Sequence, residues 1–158
     1  MTEWTFSDSI IVARTPEELY DLVSDITRMG EWSPVNTGGW WEDEKRGVDA
    51  WFVGRNVTPE RTWETRSKVI VADRGREFAF VVHGDRTRWG YAFEAVEGGT
   101  RMTESWKMLP GGLDYFRERY GEDAESELEK RANSARSGIP ATLAAIKKTA
   151  ESTGSASS

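Results

Sequence analysis

The chain has 158 residues and a net charge of −6, with 37% hydrophobic and 30% charged residues, a composition that fits one globular domain able to bury roughly 70% of its unfolded surface. The acidic balance disfavours a general affinity for nucleic-acid backbones or anionic membranes, and no apolar run approaches the roughly 20 residues that a bilayer span requires. With no cysteine there is no disulfide, no thiol nucleophile and no Cys-based metal site.

In chain order, residues 4–13 alternate as a strand, with Trp4, Phe6, Ile10 and Val12 on one side and Thr5, Ser7 and Ser9 on the other. The start carries neither the basic residues nor the apolar stretch of a signal peptide, so the expected compartment is the cytoplasm. Thr15-Pro16-Glu17-Glu18 then opens a helix: Thr15 suits the cap, Pro16 the first helical position, and Glu18 completes a capping box. Leu19, Leu22, Val23 and Ile26 give that helix one apolar face, and a short second helix fits around residues 28–32.

Between residues 38 and 110 the period changes to two. Strands are expected over 38–44, 50–57, 61–72, 77–83, 88–96 and 100–109, separated by turns such as Asp73-Arg74-Gly75, Gly84-Asp85 and Gly98-Gly99. Connections this short require antiparallel neighbours. In the fourth strand Trp63, Thr65, Ser67, Val69 and Val71 are expected to face together. Of the consecutive Trp40 and Trp41, only one can point inward. After Pro110-Gly111-Gly112, residues Leu113, Phe116, Tyr120, Ala124 and Leu128, then Ile139, Leu143, Ile146 and Ala150, recur at helical spacing. Pro140 is expected to kink or divide this helical region. Pairs such as Glu127 with Arg131 are expected on its outer face, and the small polar segment 152–158 reads as a disordered tail.

The order of strand, two short helices, six antiparallel strands and long helix, with these residues, resembles the START-like superfamily, also called helix-grip or Bet v 1-like. Within it the chain is most similar to bacterial SRPBCC proteins of the polyketide cyclase/dehydrase type. Residues 15–20 leading into 23–34 carry the likeness, together with Gly54-Arg55-Asn56, Trp63 and the stretch 98–105. The resemblance implies an α+β helix-grip domain over residues 1–151: a curved seven-stranded antiparallel sheet wrapped around a long C-terminal helix, with a hollow between them.

Eight tryptophans, six phenylalanines and four tyrosines are more ring surface than a core of this size requires. Phe78, Phe80 and Val82, then Trp89, Tyr91 and Phe93, then Met102, Glu104, Trp106 and Met108 each share one side of a strand, and Trp63 joins them. By pattern alone a solid core and a ligand cavity fit equally well; the resemblance implies the cavity. The ligand-binding set is then Asn56, Trp63, Thr65, Phe80, Trp89, Tyr91, Phe93, Met102, Glu104 and Trp106. Glu104 lies between Met102 and Trp106 on their face, so an inward-facing strand carries a carboxylate into apolar space, where burial raises its pKa towards acid–base use. It equally fits a structural ion pair with an arginine. Tyr91 is its candidate catalytic partner. His83, the only histidine, reads as a surface turn residue. No metal site and no cofactor motif is expected.

The leading expectation is binding of a small hydrophobic molecule, aromatic, polyketide-like or lipid-like. The alternatives are an aromatase/cyclase or dehydratase using Glu104 and Tyr91, with no covalent nucleophile in sight, and a ligand-free protein-interaction module. Expected partners are a small hydrophobic ligand, with no nucleic acid and no membrane insertion, for a monomer or homodimer.

Overall fold

The computed structural model describes residues 4–155. Strands β1 (Thr5–Val12), β2 (Asn36–Trp41), β3 (Trp51–Val57), β4 (Thr62–Asp73), β5 (Glu77–Val82), β6 (Thr87–Val96) and β7 (Gly99–Met108) form one antiparallel sheet in the order β1-β7-β6-β5-β4-β3-β2. From β2 to β7 each strand pairs with its chain neighbour, as the short turns dictate. The first strand returns beside the last, with Thr5 opposite Lys107 and Val12 opposite Thr100. Between β1 and β2 lie helix α1 (Pro16–Val23) and a 3₁₀ helix (Ile26–Glu31); after β7 come α2 (Pro110–Tyr120), a turn (Gly121–Asp123) and α3 (Ala124–Ser155). This is the expected helix-grip architecture. Among the described residues no helix is long and apolar enough to cross a membrane.

The capping box forms as its residues require: the Thr15 hydroxyl accepts from the Glu18 amide at 3.1 Å, and the Glu18 carboxylate accepts from the Thr15 amide at 3.1 Å. Close by, Gly99, with φ of 146°, lies so near the end of β1 that a Cβ would stand 2.0 Å from the Val12 carbonyl oxygen, so only glycine lets β7 begin there. The end of β1 is also tied to the last turns of α3. The Arg14 guanidinium donates to the Ala150 and Glu151 carbonyls, and Lys147 donates to the Ile11 carbonyl.

The inward alternation of the strands is as expected except on β4. There Val69 lies opposite Phe80 and Val71 opposite Ala79, a bulge that inserts one residue at Ile70. An extra residue inverts the alternation beyond it. Val71 therefore turns away from Trp63, Thr65, Ser67 and Val69, and Ala72, opposite Phe78, takes the inward place. On the edge strand Trp41 is the inward tryptophan, edge-on to Phe52 with centroids 5.6 Å apart, while Trp40 is exposed. The strand is Asn36–Trp41 rather than 38–44; Glu42 beyond it pairs with Arg66.

The helical region is divided at Gly121, which has φ of 55°, and not at Pro140. Pro140 removes one donor, but the helix continues through it because a single buried stripe spans the position. Leu128, Ala132, Ala135, Ile139, Leu143, Ile146 and Ala150, all buried, recur every three or four residues along the face turned to the sheet. Helix α3 also covers the first residues of the segment expected as a tail; residues 156–158 lie outside the described residues. On the opposite face Glu127 pairs with Lys130 at 3.0 Å rather than with Arg131. Replacement of fully buried Ile146 by Ala is expected to cost about 2–5 kcal/mol by denaturant unfolding, from lost transfer energy plus the cavity left behind. A loss below about 1 kcal/mol would show that α3 is not anchored by this stripe.

Candidate functional site

The paired strands lay the inward side chains out in rows. Val82, Thr87 and Met108 form one row, Phe80, Trp89 and Trp106 the next, then Phe78, Tyr91 and Glu104, and finally Phe93 and Met102. Helix α1 closes the end beyond the last row: Tyr20 stands edge-on to Phe78 and Phe93, at 6.1 and 6.2 Å between centroids. Nearer the other end the rows are not covered by comparably large groups. The α3 stripe is small there, with Ala132, Ala135 and Gly138 between the larger Leu128 and Ile139. The mismatch leaves a cavity of about 480 Å³, within the range of small-molecule sites.

Of the residues expected to bind a ligand, Asn56, Trp63, Thr65, Phe80, Trp89, Tyr91, Glu104 and Trp106 line this cavity. Phe93 and Met102 do not: they sit one row deeper, in the core sealed by α1. Asn56 and Thr65 engage each other, the Asn56 amide donating to the Thr65 hydroxyl at 3.2 Å and towards the Trp63 carbonyl at 3.5 Å. His83 lies on the exposed turn after β5 with φ of 55°; partial desolvation, with help from the Arg86 charge, lowers its pKa.

Glu104 does face the cavity and marks its floor. Its residue exposure is 4%, and among the described residues its Oε1 has no hydrogen-bond partner. No arginine pairs with it, so the ion-pair alternative does not hold. Desolvation pushes its pKa up to about 8, against the partial opposing effect of a hydrogen bond from the Tyr91 hydroxyl on the neighbouring strand. The carboxyl is therefore mostly protonated at neutral pH. Burial, then the neighbouring Glu104, raises the Tyr91 phenol well above its ordinary value. The floor thus presents two neutral groups, each able to donate or accept a proton in a hydrogen bond.

Reading the strands alone misses the segment from Met29 to Asn36 that leads into β2, and two further parts of the lining. One is the helix side, where Ala135, Gly138 and Thr142 face the rings; the break in size along the α3 stripe is its sequence signal. The other is the mouth, where α2 contributes Tyr115, Phe116, Arg119 and Tyr120. Helix α2 is pressed onto the β5–β6 turn through Gly112, whose Cβ would meet the Arg86 carbonyl oxygen at 2.4 Å and the Met108 sulfur at 2.5 Å.

The family described as polyketide cyclase/dehydrase and lipid transport matches residues 3–137. The solution structure of a Polyketide_cyc-like protein from Corynebacterium glutamicum is similar to the chain at 50% identity and a TM-score of 0.71, covering 95% of this chain and 93% of that one. The di-domain ARO/CYC protein StfQ of the steffimycin biosynthetic pathway superposes with a TM-score of 0.71 at 15% identity, over 96% of this chain and 51% of its own. A protein from Nitrosomonas europaea shares the fold at 11% identity and a TM-score of 0.69, with 96% of each chain covered. No curated protein matches the sequence.

The Glu104 carboxyl makes stability depend on pH in a defined direction. Folded, it titrates near 8; its ordinary value is 4.5. Its contribution is present in full below about 4.5, is lost as pH rises towards about 8, and levels off above that. Glu104→Gln is expected to abolish this decline, so that between about pH 5 and about pH 9 the variant gains on the wild type by an amount on the order of a few kcal/mol. Parallel pH profiles in denaturant unfolding would contradict a buried neutral acid.

Proposed function

The chain belongs to the polyketide cyclase/dehydrase and lipid transport family, and from that premise we propose that it binds a small hydrophobic molecule in the cavity between sheet and α3. The observation that carries this reading is the cavity itself: about 480 Å³, walled by Trp63, Phe80, Trp89 and Trp106 and floored by two neutral polar groups. Ring walls supply apolar contact area, and a few convergent polar groups fix orientation. A ligand-free interaction module has no use for so large a hollow beneath its sheet.

Gly138 offers a direct test, because its added Cβ would meet only Pro34 Cγ, at 3.8 Å. Gly138→Phe is therefore expected to fold at least as stably as the wild type, since glycine inside a helix costs about 0.5–1 kcal/mol relative to alanine. The neutral fluorophore N-phenyl-1-naphthylamine is expected to bind the wild type with micromolar affinity, and the variant at least about tenfold more weakly. Failure of the wild type to bind this dye, or unchanged binding by a folded Gly138→Phe, would refute the cavity as the site.

The unpartnered Glu104 Oε1 favours a second reading, an aromatase/cyclase or dehydratase acting on a polyketide-like chain held in the same cavity. A protonated carboxyl at the floor is placed to donate its proton to a leaving hydroxyl, which departs as water; the carboxylate so formed takes the proton from the adjacent substrate carbon as the double bond forms, which restores the acid, with Tyr91 on the neighbouring strand beside it. On this reading Glu104→Gln removes the transferable proton while keeping shape. It is expected to lower turnover of a cyclisable polyketide mimic by about 10²–10⁴-fold while leaving affinity within a few-fold. Undiminished turnover in the variant would eliminate Glu104 as acid.

A further inference from the structure

Four arginines line the cavity along with its rings: Arg61 ahead of β4, Arg86 in the β5–β6 turn, Arg119 in α2 and Arg131 in α3. The connection before β4, the β5–β6 turn and the end of β7 that leads into α2 all lie at one end of the antiparallel sheet, opposite the end plugged by α1. Arg131 belongs to the first turns of α3, away from the last turns that are tied to β1. All four therefore belong to the mouth.

Each guanidinium stands near a ring that also lines the cavity. Arg86 is 3.8 Å from the centroid of Tyr115, Arg61 4.2 Å from Trp63, Arg131 5.5 Å from Phe116 and Arg119 5.9 Å from Tyr120. Stacking holds the flat guanidinium by its face and leaves the N–H donors around its edge available. Among the described residues none of the four side chains hydrogen-bonds a carboxylate. The one ion pair, Arg86 with Asp85 at 3.9 Å, is too long for an N–H···O bond. Elsewhere Arg74, Arg88 and Arg101 are each matched with a carboxylate at 2.7–2.8 Å. Against these four cations the lining holds only Glu64 and the mostly neutral Glu104. In a chain of net charge −6, this is a local excess of positive charge around an apolar hollow.

We propose that the natural ligand of the cavity is an amphipathic organic acid, its apolar body lodged between the ring wall and α3 and its anionic oxygens gripped by the arginines at the mouth. Carboxylate, sulfonate and phosphate share the planar or pyramidal oxygen edge that guanidinium N–H pairs match. The proposal rests on the cavity being the binding site, and deepens that reading by naming the charge and the orientation of what enters.

The test uses two dyes with one ring skeleton, neutral N-phenyl-1-naphthylamine and the anionic 8-anilinonaphthalene-1-sulfonate, titrated against the full chain at low salt. The sulfonate is expected to bind at least about tenfold more tightly than the neutral dye. That advantage, read as the ratio of the two affinities in one protein, is expected to fall to within about twofold in an R61Q/R86Q/R119Q/R131Q variant that still binds the neutral dye. Should that variant fail to fold, Arg61→Gln and Arg131→Gln singly, on separate elements, are each expected to cost the sulfonate about threefold. Equal affinities in the wild type, or a sulfonate advantage that survives the arginine replacements, would overturn the proposal while neutral-dye binding leaves the cavity reading standing. Sulfonate affinity unchanged in Gly138→Phe would place the anion outside the cavity and overturn it as well. Absence of binding by both dyes would remove the cavity reading and the proposal together.

Discussion

The molecule depends on how α3 fits the concave face of the sheet. Seven paired strands fix which side chains point inward, and their rings stand in rows at the spacing of the ladder. Helix α3 meets those rows with a stripe whose residues change size along its length, from Ala132 and Ala135 to Ile139, Leu143 and Ile146. Where the stripe is large, it packs against Phe93 and Met102 with help from α1, and the interior is closed at the density of an ordinary core. Where the stripe is small, the rings opposite have no partner to fill the gap. The cavity is thus what remains when one rigid helix must serve both a large-on-large and a small-on-large contact.

Much of this was legible in the sequence, and the parts that were not have identifiable causes. Period-two alternation and the short turns sufficed for the meander, and the Thr15–Glu18 box for α1. The same alternation turned Glu104 inward between Met102 and Trp106. Alternation cannot anticipate a bulge, so Val71 was placed on the wrong face; the extra residue at Ile70 carries no glycine or proline to mark it. Nor does alternation say where a row of inward rings stops lining a cavity and becomes core. Phe93 and Met102 are inward like their neighbours, and only the docking of α1 through Tyr20 separates them. Pro140 misled for a related reason: the local rule counts one lost hydrogen bond, whereas the buried stripe on either side holds the helix together.

Arg131 shows the limit of helical spacing as a guide to charge. Glu127 and Arg131 stand four apart, the distance at which a pair is favoured, yet Glu127 is satisfied by Lys130 and Arg131 goes to the ring of Phe116. A spacing rule sees one helix. The choice between carboxylate and ring is made by α2, which the glycine at 112 lets settle on the β5–β6 turn and which brings Phe116 within reach.

The two ends of the cavity then differ in a way that bears on mechanism as well as on binding. At the floor a carboxyl oxygen is buried without a partner, at a cost of about 1–3 kcal/mol for an unmade hydrogen bond. The fold gains nothing from that: an apolar side chain of the same volume would pack the site without the penalty. At the mouth the cost is of the opposite kind, because four arginines line the cavity against a single carboxylate besides Glu104, that of Glu64. Each feature is destabilising alone, and each is relieved by the same event, the entry of a molecule with a polar atom at its inner end and negative charge at its outer end. Ring walls tolerate many shapes, so they set little beyond size; the neutral floor and the cationic rim set direction. A direction imposed on the ligand is what a carrier needs to choose its cargo. It is also what an enzyme needs to present one carbon, and no other, to the Glu104 proton.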